Sequence, residues 1–61
     1  MIDATKLQSG YWRISGIGPC NWAQVPTWPC DEATFREHAF PQASEEFIHE
    51  AMRQAREDAG T

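Results

Sequence analysis

The stretch from Tyr11 to Trp28, YWRISGIGPCNWAQVPTW, holds all three tryptophans and the only tyrosine of this 61-residue chain. Aromatic side chains each bury a large area, so in a chain this short the stretch is expected to dominate the core. The residues after Trp28 are expected to cover it. Sixty-one residues leave room for a single small domain, 1–61. Such a chain buries a modest share of its surface and is marginally stable unless a disulfide, a metal or a partner helps. A hydrophobic fraction of 41% and a charged fraction of 23% argue against a disordered tail.

Periodicity and turn chemistry predict an α+β fold, a small antiparallel sheet of two or three strands followed by two helices. Residues 1–3 read as a loose start, and 4–8 as a short strand anchored by Leu7. Ser9-Gly10 turns the chain, since glycine takes positive φ without a clash. Trp12 and Ile14 alternate with Tyr11, Arg13 and Ser15, the period of a half-buried strand. Gly16 to Pro19 reads as a loop. Asn21 to Val25 is the next strand, ending at Pro26, which cannot donate to a ladder and suits an edge. Asp31 is the expected cap of a first helix running from Glu32 to about Ala39, with Phe35 and Ala39 facing inward and Pro41 as its stop. Ser44 caps the second helix. Phe47, Ile48, Ala51, Met52 and Ala55 form its apolar stripe, and Gly60 is its expected C′ residue. Trp12, Ile14, Phe35, Phe47, Ile48 and Met52 are expected to meet in one core.

Charge is unevenly spread. The net charge is −4. Residues 1–30 sum to +1, whereas residues 31–61 carry eight acids against Arg36, Arg53 and Arg56 and sum to −5. That balance argues against direct binding to nucleic acid or to an anionic membrane, both of which need basic surface. No apolar run approaches the ~20 residues needed to span a bilayer, and no basic start precedes an apolar segment. A cytoplasmic location with reduced thiols is therefore expected.

Little in the chain points to catalysis. Cys20, Cys30, His38 and His49 invite a zinc reading, but the close ligand pairs of zinc sites are missing, so no metal and no cofactor are expected. A Cys20–Cys30 disulfide would stabilise the chain by roughly 3 kcal/mol in the entropy model. In the cytosol two small buried thiols are expected instead. Glu45-Glu46 and Glu57-Asp58 are neighbours in sequence and point apart on a helix, which suits a solvated face better than a general acid and base. Glu45 precedes His49 by one turn and is placed to pair with it. Gly16-Ile17-Gly18 is too short for a dinucleotide fingerprint. Base-stacking platforms carry several lysines and arginines, and here only Arg13 is near the aromatics. Any aromatics left exposed suit protein docking instead.

The acidic helices offer the one functional pattern. Glu46 and Glu50 lie one helical turn apart, and Glu57 falls two turns further on nearly the same face. Glu46 and Glu50 repel each other slightly, which points to a role other than stability. With Glu32 and Glu37 on the first helix, these are the candidate partner-binding residues. Carboxylates so placed fit a groove shaped for nucleic-acid phosphates. Two other readings stay open: an accessory interaction module docking through exposed aromatics, and a small zinc-stabilised or redox domain resting on the two cysteines and two histidines.

Through the segments YWRIS, PCNWAQVPTWPCDEATF and SEEFIHEAMRQAREDAG, the chain resembles the small phage-encoded anti-CRISPR proteins that act on type I interference complexes, including type I-C. The resemblance implies a monomeric, non-catalytic, stoichiometric inhibitor in the host bacterial cell. It would block target DNA or PAM recognition by a Cascade subunit, often by imitating DNA charge. Arg36, Arg53 and Arg56 depart from a pure DNA mimic.

Overall fold

Alternation along the first 25 residues builds the sheet. The computed structural model describes residues 2–41 and 43–60, which form a four-stranded antiparallel sheet and two helices, an α+β arrangement. The strands are β1 (Asp3–Lys6), β2 (Trp12–Ser15), β3 (Asn21–Val25) and β4 (Ala39–Pro41), lying side by side in chain order. Helix α1 (Glu32–Glu37) sits between β3 and β4 in the chain, and α2 (Glu45–Ala59) follows β4. Gly10, at φ 96°, closes the β1–β2 turn, where its N–H bonds the Leu7 carbonyl at 3.0 Å. An L side chain rarely adopts that backbone, which is why the turn needs glycine.

Register sorts the sheet residues onto two faces. Ala4, Ile14, Ala23 and Ala39 lie opposite one another across the four strands, and Trp12 lies opposite Val25. This face is covered by the helices: Phe35 from α1 and Phe47, Ile48 and Ala51 from α2 join Ile2, Ile14, Ala23 and Val25 in one core. Phe35 stands between the other rings, 6.4 Å from Trp28 and 5.4 Å from Phe47. Side chains on a strand alternate, so the other face carries Asp3, Thr5, Arg13, Ser15, Trp22, Gln24 and Phe40.

Both helix starts are capped. Asp31 accepts from the Thr34 N–H at 2.9 Å, and the Ser44 hydroxyl accepts from the Phe47 N–H at 3.1 Å. Ser44 is also held from its own N–H by Asn21 Oδ1 at 2.9 Å, which ties the start of α2 to β3. Ser44→Ala is expected to lower stability by about 1 kcal/mol, and Ser44→Gly by only a few tenths, about 0.3 kcal/mol. Equal losses in the two variants, read from urea midpoints, would show that the hydroxyl does not cap α2.

Several expectations need correction. The sheet has four strands rather than two or three, because the chain after α1 returns to it. The first helix stops at Glu37 with His38 as its cap, and 39–41 form a strand instead of the last helical turn. Pro41 disfavours helix at Phe40, and Phe40 gains a cross-strand partner in Trp22. Ala39 does reach the core side, but from a strand. β3 is an inner strand, so the residue standing at an edge is Pro41, not Pro26. The start is not loose from Ile2 onward: Ile2 is buried in the core, whereas Leu7 is only half-buried and Met1 lies outside the described residues. Gly60 ends α2 with φ −83°, so no left-handed cap is used. The Trp28–Pro29 peptide is cis.

The expected core is otherwise observed. Ile14, Phe35, Phe47 and Ile48 are buried, and Trp12 and Met52 are half-buried against them. Of the three tryptophans, Trp12 and Trp28 pack against the core, but Trp22 lies on the uncovered sheet face.

Candidate functional site

Helix α2 is amphipathic for a simple reason. Phe47, Ile48, Ala51 and Ala55 recur at helical spacing and are buried, so residues half a turn away face solvent. Glu46 and Glu57 are exposed and Glu50 is half-buried along that outward side. The structure therefore brings together three of the five acids expected to bind a partner. Arg53 lies among them, with Nε 3.4 Å from Glu50 Oε2 and Nη1 bonded to Glu57. Two carboxylates and one guanidinium leave a net −1 there. Glu46 makes no ion pair among the described residues.

The acids of α1 behave differently. Arg36 binds Glu32 through Nε at 2.8 Å and takes Glu45 of α2 through Nη1 and Nη2 at 2.9 and 2.8 Å. This fork clamps the end of α1 to the start of α2. Its hydrogen bonds raise the Arg36 pKa and lower that of Glu45. Glu45 is thus committed to Arg36 rather than to His49, while His38 Nδ1 lies 3.0 Å from the Thr34 carbonyl. Glu37 is exposed at the end of α1, and no ion pair among the described residues joins it to the others.

At the far end of α2, Trp28 Nε1 donates to Asp58 Oδ2 at 2.7 Å, and Gln54 Nε2 donates to Asp58 Oδ1 at 2.9 Å. These bonds lower the Asp58 pKa, the one from Trp28 most. Hydrogen bonds from Thr34, first from its side chain and then from its backbone N–H, likewise lower that of Asp31. A carboxyl that titrates lower when folded than when unfolded leaves the folded state with fewer protons. Its stabilisation is complete well above the ordinary values of 3.8 for aspartate and 4.5 for glutamate, and is lost as pH falls from those values through the lower folded ones. The thermal midpoint is expected to fall between about pH 5 and about pH 3, and less steeply in Trp28→Phe, which keeps a ring but loses the donor. Parallel acid limbs in the two proteins would show that the Trp28–Asp58 bond carries none of the dependence.

Beside that latch runs an open groove of about 500 Å³ lined by Pro29, Cys30, Asp31, Glu32, Met52, Ala55, Arg56 and Ala59. Burial, and then the Asp31 charge, raise the Cys30 thiol above its ordinary 9.0. Both cysteines are free, and Cys20 is exposed rather than buried, against expectation. Among the described residues no three of His, Cys, Asp and Glu converge as a metal-holding group, and no helix is long and apolar enough to cross a membrane.

The uncovered sheet face carries a feature that the strand pattern already contained. Trp22 shares its parity with Gln24, whereas Ala23 and Val25 point to the core. Phe40 packs on Trp22 with ring centroids 5.0 Å apart, and the Arg13 guanidinium lies 4.8 Å from the Trp22 ring centre. Phe40 stays 40% exposed and Tyr11 41%. The stack joins β2, β3 and β4 and stabilises the sheet, since aromatic and cation–π pairs add to area burial. No known protein family, characterised protein or solved structure matches the chain.

Proposed function

We propose that this protein is a non-enzymatic binding protein that occupies a basic surface on another protein through the outward side of α2. The observation that carries the reading is the placement of Glu46, Glu50 and Glu57 along one solvent-facing helix side with Arg53 among them. The core fixes that side in place, because Phe47, Ile48 and Ala51 are buried beneath it. Carboxylates held in a row by a packed helix approach a basic groove without first being ordered, which spares part of the entropy that binding costs.

The resemblance to anti-CRISPR proteins directs the proposal to a DNA-binding subunit of a type I Cascade complex in the bacterial cytoplasm, bound by a single copy of this chain. DNA mimicry in the strict sense is a partial description, because Arg36 and Arg53 each sit between two acids. The test is competition: target-DNA binding by isolated type I-C Cascade, measured with increasing amounts of this protein at several salt concentrations. Inhibition at stoichiometric amounts that weakens with salt is expected, since exposed charges are screened beyond a Debye length of about 8 Å at physiological ionic strength. No competition at any salt concentration would overturn the proposal for that target.

A second reading is favoured by one observation, the exposed Phe40 beside Trp22 and Arg13. Aromatic and arginine side chains are enriched at binding hot spots, so this face suits docking that depends little on salt.

A further inference from the structure

We infer that the groove between residues 29–32 and the last turns of α2 receives an arginine side chain presented by the basic partner; this rests on the reading that the partner is basic. The groove matches that side chain in two parts. Pro29, Met52, Ala55 and Ala59 give its lining an apolar part. Asp31 and Glu32 stand on one bank. An arginine has the same division, an aliphatic stem that packs on apolar surface and a cationic tip that does not.

Charge sets the direction of entry. Arg56 lines the groove with the two acids and has no ion pair among the described residues. It repels a second cation from its own side, so the guanidinium goes to the acidic bank. Asp31 is the acid left to receive it there. Its carboxylate accepts hydrogen bonds from Thr34 and makes no ion pair among the described residues. Glu32 already shares its charge with Arg36. The groove adjoins the outward side of α2 by sequence, since Met52 and Arg56 flank Arg53, so one partner surface spans both.

The probe is the capped peptide acetyl-Leu-Arg-Leu-Arg-amide, with its citrulline counterpart as the neutral isostere. It is titrated into isotopically labelled protein while the Met52 methyl and the backbone amides of residues 30–32 are followed by NMR. The arginine peptide is expected to shift those signals and to bind about fivefold tighter than the citrulline peptide, the upper end for an exposed ion pair. Asp31→Asn removes the charge while keeping a good helix cap, so it should erase that preference without unfolding α1. Equal binding of the two peptides, or shifts confined to residues 46, 50 and 57, would overturn the groove assignment. Such a failure leaves the acidic-face proposal standing if the protein still competes with DNA. Groove binding without DNA competition removes that proposal and keeps the arginine site.

Discussion

Phe35→Ala is expected to remove about 3–5 kcal/mol of stability, the cost of deleting a phenylalanine from a packed core. The ring is fully buried and touches both neighbouring rings, Trp28 before it in the chain and Phe47 on α2. It also carries α1 alone, as the buried residue of a six-residue helix. An isolated helix that short does not form, because nucleation costs more than one or two turns return. Losing the ring therefore undocks α1 and leaves the Arg36 clamp on α2 without its support. A chain this small sits toward the low end of the usual stability range of about 5–15 kcal/mol, so much of the population should unfold at room temperature. Urea unfolding checks this: the midpoint falls while the slope holds. Phe40→Ala is the contrast. Its ring is 40% exposed and has Trp22 as its aromatic partner, so its loss should cost about 1 kcal/mol. Similar midpoints for the two variants would mean that the core is not organised around Phe35.

Local chemistry made much of this fold readable. Asp31 and Ser44 are short oxygen-bearing residues ahead of acidic first turns, and both cap helices as such residues do. The stripe Phe47, Ile48, Ala51 and Ala55 fixed the buried side of α2, and with it the exposed side where Glu46, Glu50 and Glu57 lie. What was not readable depends on contacts distant in sequence. β4 has three residues, too few to show a period, and it exists because Ala39 and Phe40 pair with Ala23 and Trp22. Ile2 belongs to the core only because β1 pairs with β2 in a register that begins at Asp3 and Ser15. The pairing of Arg36 with Glu45 spans nine positions and two helices, so the rule for helical neighbours pointed Glu45 to His49 instead. Trp22 was misplaced for another reason: size suggested the core, whereas alternation with Gln24 already put it on the open face.

Reversing Glu46 and Glu50 to lysine is expected to weaken binding to the basic partner by at least about 100-fold, close to 3 kcal/mol. Both residues lie on the outward side of α2, and neither is among the core residues, so the helix should survive. Glu46→Lys gives up a favourable charge in the first turn of α2, and Glu50→Lys frees Arg53 from one of its two carboxylates. Changes of that kind usually stay within about 0.5 kcal/mol each. At the interface the effect is larger, because each reversal removes an attraction and adds a repulsion on a desolvating surface. The double variant also raises the net charge from −4 to zero, so a control of similar added charge must separate place from total. Asp3→Lys with Thr5→Lys supplies it, adding three positive units on the uncovered sheet face and none on α2. If α2 is the interface, the Asp3 and Thr5 variant keeps most of its competition with DNA for Cascade while the Glu46 and Glu50 variant loses it. Equal losses would mean that overall charge governs association and that no particular face is read. Undiminished competition by the Glu46 and Glu50 variant would move the interface to Arg13, Trp22 and Phe40, whose contacts do not depend on the acids of α2.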